Sequence, residues 1–217
     1  MMKSSYGEFL TAVNRLTSVE LSDLDPPAAA TALLGATLTV RGVTARIVET
    51  EAYGSDPAGP WPDPAAHSYP GPTQRNSVMF GRAGVLYVYL SYGMHHCCNV
   101  TIGPVGSAGA VLLRAAEIVS GHDVVGPRRP TARTPADLAR GPGNLGAALA
   151  ITLADNGADL LDPKSDVRLD LSPQPGWLAG PRVGISTAAD VAWRYWLPGS
   201  PAVSVYRRSP RAERSRP

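Results

Sequence analysis

The sequence predicts an α+β fold: a single mixed domain with a curved, mainly antiparallel β-sheet core surrounded by short helices and long loops. Three observations lead there. Of 217 residues, 44% are apolar and 18% charged, which suits one globular core and excludes a wholly disordered chain or a coiled coil. Glycine (22) and proline (21) punctuate the chain densely, which limits long helices. Several short runs rich in β-branched residues and bounded by glycine read as strands. The expected organisation is one domain over residues 1–206 and a flexible basic tail over 207–217.

Taken in order, residues 6–16 (YGEFLTAVNRL) place Phe9, Leu10, Val13 and Leu16 at helical spacing, with Ser4 or Ser5 to cap the first turn. Pro26-Pro27 open a second helix through AAATALL, which Gly35 closes. Residues 36–41 and 43–53 form two strands around Gly42. Residues 54–73, dense in proline and glycine, make a long shaped loop of the kind that carries function in compact domains. Strands follow at 84–92 (GVLYVYLSY) and 109–117 (GAVLLRAAE). Residues 120–142 are rich in proline, arginine and glycine and read as an exposed connection. A short helix over Asn144–Ile151 and strands at 166–171 and 181–186 complete the domain.

No apolar run approaches the ~20 residues that span a bilayer, and the start (MMKSS) lacks the apolar region of a signal peptide. The two cysteines, Cys97 and Cys98, are adjacent and offer no disulfide framework. A cytoplasmic globular protein without a membrane partner is expected. Net charge is +2 overall, but it runs −4 over residues 1–66, +4 over 67–154, −2 over 155–206 and +4 over the tail. A basic middle and a basic tail suit a polyanion, and they equally suit a solvated loop and a disordered end.

The strand 43–53 ends in Glu49-Thr50-Glu51-Ala52-Tyr53, and alternation puts Glu49, Glu51 and Tyr53 on one face. That face is either a solvent edge or a catalytic wall leading into the long loop. Tyr87 and Tyr89 share a face of the next strand, and Tyr92 precedes a glycine turn from which it can project as a wedge. Packing or recognition would each use such rings. His67 and the run His95-His96-Cys97-Cys98 raise a zinc site, but four contiguous residues cannot converge on one tetrahedral ion. The cysteines fit better as buried small apolar groups. No phosphate-binding loop, dinucleotide fingerprint or nucleophile elbow is present.

Together, RIVETEAY (46–53), AAHS (65–68), QRN (74–76), LYVYLSYGM (86–94), Asn99 and VLLRA (111–115) resemble the alkyladenine (3-methyladenine) DNA glycosylase family of the mammalian type, which lacks a helix-hairpin-helix motif. GPGNLGAALAI (141–151), PRVGIS (181–186) and GSPAVSV (199–205) extend the resemblance from about residue 20 to residue 206. It implies a monofunctional DNA N-glycosylase that flips out alkylated or deaminated purines of the 3-methyladenine, hypoxanthine and ethenoadenine type. Water then attacks C1′ and leaves an abasic site, opening base-excision repair.

Carried over by position, Glu51 matches the general base and Arg114 the arginine that helps hold the water, with the backbone carbonyl near Val183 as a third contact. Tyr53, His67 and Tyr89 match the walls that stack on the extruded base, and Asn99 the residue that disfavours the amino group of normal guanine. Tyr92 matches the wedge, with Met94, Thr73 and Arg75 as further DNA contacts. No metal or cofactor is implied. With only Lys3 and Lys164 present, a Schiff-base lyase is disfavoured. The implied partner is double-stranded DNA containing damaged purines, met by a monomer at the nucleoid. A binder that flips lesions without cutting is the alternative, as is a zinc hydrolase built on His67, His95, His96 or Cys97. Trp61 is assigned to loop packing, with a DNA or pocket contact as its alternative.

Overall fold

Two eleven-residue strands, β2 (Val43–Tyr53) and β5 (Ala110–Ser120), pair antiparallel through the centre of the molecule, and the rest is arranged around them. The computed structural model describes residues 18–171 and 176–212, so the helix expected over residues 6–16 and the end of the basic tail lie outside the described residues. β2 forms a hairpin with β1 (Thr37–Val40). Its turn holds Arg41 and Gly42 at φ 46° and 88°. Positive φ at both positions gives the twist that two-residue hairpins require. β3 (Leu86–Ser91) and β4 (His95–Thr101) form a second hairpin that joins β5, and β6 (Val167–Asp170) closes the far edge on β1. The order is β3-β4-β5-β2-β1-β6. β8 (Arg194–Trp196) takes the end of β2 that β1 does not reach, and β7 (Leu178–Gly180) pairs with β8.

All these strand pairs are antiparallel, and the sheet curls into a half-barrel, as expected. The register explains the curl. Ile47 opposes Ala116 and Glu49 opposes Ala115, so Val48 is an extra residue on β2. Thr50 then opposes Leu113, so Arg114 is an extra residue on β5. Adjacent bulges on facing strands bend the ladder and re-aim the side chains beside them.

Short helices cover the sheet. α1 (Ser18–Asp23) leads into α2 (Pro26–Ala32), where the Asp25 carboxylate accepts the Ala28 N–H at 2.7 Å and the prolines occupy the first turn, in which no amide partner is needed. α2 buries Ala29 and Ala30, and the Thr50 hydroxyl donates to the Ala30 carbonyl. α4 (Pro142–Ala148) starts two residues before the expected helix and lies on β4. The contact is close: a Cβ at Gly146 would stand 2.0 Å from the His96 carbonyl oxygen. The core between these layers includes Ile47, Val100, Val111, Leu113, Leu145 and Leu149.

Three expectations need correction. Residues 181–186 are not a strand: Pro181 has no amide to donate, the buried Arg182 turns inward, the Val183 amide bonds a carboxylate instead of a ladder carbonyl, and Gly184 bends away at φ 74°. The connection 120–142 is not wholly exposed. It contains α3 (His122–Arg128), masked in the sequence by Gly126 and Pro127, and buries Val125 and Ala139. His95–Cys98, for which the sequence reading gives no strand, opens β4, with its cysteines buried as expected.

Gly146→Ala should lower stability by about 1–3 kcal/mol, as overpacking does, although alanine is the better helix former. Denaturant unfolding checks this, and a gain in stability would show that α4 does not sit hard on β4.

Candidate active site

The concave side of the sheet opens into a cavity of about 560 Å³. Its aromatic wall comes from Tyr53 at the end of β2, His67 in the long loop, and Tyr87 and Tyr89 on β3. The His67 and Tyr89 rings meet edge to face at 4.5 Å, and the Tyr87 hydroxyl lies 3.3 Å from His67 Nδ1. Asn99 on β4, its Nδ2 donating to the Tyr87 carbonyl at 3.1 Å, also lines the cavity, as do Cys97, Leu112, Arg114, Val183 and, at the mouth, Arg75.

At the back lies a buried polar cluster. Glu51 is wholly buried, and its Oε1 accepts the Val183 N–H at 2.7 Å and pairs with Arg114 Nη1 at 3.3 Å. Its Oε2 accepts the Tyr53 hydroxyl at 2.8 Å. A carboxylate has about four lone-pair sites, so three contacts leave one for a water. Val183 thus meets Glu51 through its amide, a contact separate from the one expected between the neighbouring carbonyl and the water. Burial and then the Glu51 charge raise the Tyr53 pKa, so the phenol stays protonated and remains a donor.

Glu49, unassigned from sequence, holds this cluster in place. Its Oε1 accepts from Arg114 Nε (3.1 Å), Arg194 Nε (2.6 Å) and the Ser204 hydroxyl (2.9 Å), and its Oε2 accepts the Ser204 amide (2.8 Å). Burial alone would lower the Arg114 pKa, but the Glu51 and Glu49 charges outweigh it and hold it above the ordinary value. Two buried carboxylates therefore face two buried guanidinium groups, with charge balanced.

A second pair was also missed. The buried Arg182 grips Asp63 with both nitrogens, Nη1–Oδ2 at 2.5 Å and Nη2–Oδ1 at 2.9 Å, and donates to the Ala52 carbonyl. Asp63 also accepts the Gly54 and Ala65 amides, so this one ion pair shapes the long loop. The guanidinium lies 4.7 Å from the Tyr53 ring centroid and 5.3 Å from that of Trp193, fixing Tyr53 from behind. Trp61 lies against Gly103 outside the cavity, which fits its packing assignment.

Beside the mouth, the β3–β4 turn presents Tyr92 at 89% exposure and Met94 at 70%. Tyr92 and Gly93 have φ of 50° and 70°, and the Met94 amide closes the turn on the Ser91 carbonyl. The positive φ of Tyr92, like that of Arg41, belongs to a tight hairpin turn, which leaves the Tyr92 ring outside the core. Thr73 is exposed and pairs with Asn76 in the loop, outside the cavity lining. The four residues 95–98 do not converge: Cys98 is in the core, Cys97 faces the cavity and His95 lies against Gly143. Among the described residues no three His, Cys, Asp or Glu side chains are grouped to hold a metal ion, and no helix is long and apolar enough to cross a membrane.

Residues 20–201 match the family model of the methylpurine-DNA glycosylases. The chain belongs to that family. Proteins bearing the name 3-methyladenine DNA glycosylase are similar to it along nearly their whole length. One from Nocardia farcinica is 65% identical over 200 residues, covering 91% of this chain and 94% of that protein. One from Rhodococcus jostii is 60% identical over 200 residues, covering 92% and 90%.

Two outcomes follow from the geometry. Glu49→Gln leaves a buried positive charge uncompensated and should cost about 3–5 kcal/mol in urea unfolding; a loss under about 1 kcal/mol would remove Glu49 as the anchor. His67 has one edge open to solvent, but packing of the remainder, and then the Arg75 charge, lower its pKa below the ordinary 6.5. The unfolded chain therefore binds this proton more readily, so the His67 contribution to stability rises with pH between its lowered folded pKa and the ordinary 6.5 and is flat on either side. An NMR titration should place the His67 midpoint under 6.5 and show it rising in Arg75→Ala. A midpoint unmoved by that change would exclude Arg75 as a cause.

Proposed function

We propose that this chain is a monofunctional DNA N-glycosylase that flips alkylated or deaminated purines out of duplex DNA and hydrolyses their glycosidic bond with water. The observation that carries the reading is the Glu51–Arg114 pair, buried behind an aromatic cavity whose mouth stands beside the exposed Tyr92 turn.

A stacked base shields its glycosidic bond, so the nucleotide must leave the helix first, at a cost of a few kcal/mol that is least for damaged or mispaired bases. Tyr92 fills the gap and stacks on the bases that remain, with Met94, Thr73 and Arg75 against the flanking strand. Tyr53, His67 and Tyr89 then receive the purine, each stacked base gaining roughly 1–3 kcal/mol. A cationic lesion such as a 3-methyladenine gains an additional cation–π attraction, which a neutral His67 preserves. Asn99, its amide held by Tyr87, disfavours the exocyclic amino group of guanine.

Glu51 uses its remaining lone pair to take the proton of a water directed at C1′, and its charge stabilises the oxocarbenium-like sugar. General-base help of this kind is worth ~10²–10⁴-fold. Arg114, held at Nε by Glu49, steadies the carboxylate and the water. The Val183 amide holds Glu51 in register, leaving the neighbouring carbonyl to contact the water. Lys164 is not among the cavity residues, which supports water rather than an amine as nucleophile. The enzyme works as a monomer on duplex DNA at the nucleoid and leaves an abasic site for later repair steps.

Single-turnover release of hypoxanthine and 1,N6-ethenoadenine from duplex oligonucleotides tests this. Wild type should give strand breaks only after alkali, and Glu51→Gln should bind the lesion with excision reduced at least 10²-fold. Excision by Glu51→Gln at the wild-type rate would sink the general-base assignment. Tight lesion binding by wild type without release of either base, or of methylated purines from methylated DNA, would favour a non-catalytic binder.

A further inference from the structure

A second concavity, of about 410 Å³, lies on the other flank of α4 and is lined by Arg129, Thr131, Arg133, Asp137, Arg140 and Asn144. It is made by residues 129–144 of the basic middle of the chain, whose arginines do not line the base cavity. Its lining holds three arginines and one carboxylate. That carboxylate is already committed: Asp137 Oδ1 pairs with Arg140 Nη1 at 2.9 Å, and Oδ2 accepts the Thr134 amide and hydroxyl at 3.0 and 2.8 Å. The cleft therefore carries a net charge of about +2.

The three arginines differ in what the fold asks of them. Arg140 donates to the Pro201 carbonyl as well as pairing with Asp137, and its Nε is buried with no partner. Arg129 spends its Nε on the Leu138 carbonyl. The Arg133 guanidinium is exposed and has no hydrogen-bond or ion-pair partner among the described residues. Two of the guanidinium groups are thus tethered by backbone carbonyls, which offset no charge, and the third is free. Arginine presents a planar fork of donors that fits phosphate oxygens.

The position of the cleft selects its anion. Pro142 lines the base cavity, while Arg140 and Asn144, two residues away on either side, line the cleft. Gly143 between them supports His95, three residues from Tyr92. The cleft, the cavity and the exposed turn are therefore tied to one short helix. A duplex seated over Tyr92 carries one phosphate charge per ~1.7 Å of axis and spreads them over the surface on either side. We propose that the Arg129–Arg133–Arg140 cleft is a phosphodiester site that grips the DNA backbone flanking the flipped nucleotide, and that it binds damaged and undamaged duplex alike. The proposal rests on the DNA reading above, and it gives the enzyme a grip on DNA that does not depend on the lesion.

The test is the salt dependence of binding, measured by fluorescence anisotropy on one duplex containing hypoxanthine and one undamaged duplex of the same sequence. Arg133→Ala should reduce the slope of log K against log [salt] by about 0.9 on both duplexes, so that between 50 and 200 mM salt the variant loses about 3.5-fold less affinity than wild type. Arg133→Lys should restore most of the slope, which a structural role for the guanidinium would not predict. An unchanged slope in Arg133→Ala, with wild-type excision intact, overturns the cleft and leaves the glycosylase reading standing. No binding of either duplex by wild type overturns both. Binding of millimolar inorganic phosphate by wild type but not by Arg133→Ala, with no displacement of the duplex at constant ionic strength, would mark a small-anion site and overturn the backbone assignment.

Discussion

The acceptance of four donors by Glu49 is the constraint on which the rest of this site depends. A carboxylate with no solvent exposure is tolerable only when its lone pairs are filled and its charge is met. Here the donors come from β5, from β8 and from the segment after β8, so the requirement to satisfy one side chain draws three parts of the chain together. Arg114 is the member that serves both carboxylates: Glu49 fixes its Nε, and its Nη1 reaches Glu51. The bulge that leaves Arg114 out of the ladder lies next to Glu49. The same irregularity therefore curls the sheet around the cavity and delivers the guanidinium to the back of it.

The Arg182–Asp63 pair does for the cavity wall what Glu49 does for its back. A proline-rich loop has few amides with which to hold itself, and most of its conformational entropy must be offset by a small number of strong contacts. A bidentate buried ion pair that also collects two loop amides and faces two aromatic rings is such a contact. Tyr53 is consequently fixed on two sides, by the cation behind its ring and by the carboxylate at its hydroxyl.

Local features were legible in the sequence. The β1–β2 hairpin follows from β-branched residues around Gly42, α2 from Pro26-Pro27 at its start, and the shared face of Glu51 and Tyr53 from simple alternation. The family motifs picked out Tyr53, His67, Tyr89, Asn99, Arg114 and Val183, which line one cavity, and Glu51, which is buried behind it against Arg114 and Val183. Long-range contacts were not legible. Glu49 is 145 residues from Arg194 and 155 from Ser204, and Asp63 is 119 from Arg182; no local pattern pairs an acid with a base over such spans. Misreadings share one cause, in that periodicity reports side-chain character and not where the amides go. Val183 and Ile185 alternate with smaller or polar residues as a strand would, yet the Val183 amide serves a carboxylate. His95–Cys98 were read for their side chains alone, and the strand that their backbone adds to the second hairpin was missed.

Tyr92 stands at the apex of a closed two-strand turn, held outward by its own backbone dihedral and not by a lid that must open. A side chain presented in that way is ready before any partner arrives. In the wedge role proposed above, an encounter with a base stack would ask for motion in only one of the two molecules. The tempo of searching would be set by how often the double helix breathes, and a step already weakened by damage would yield sooner than its neighbours without the protein having to recognise it first.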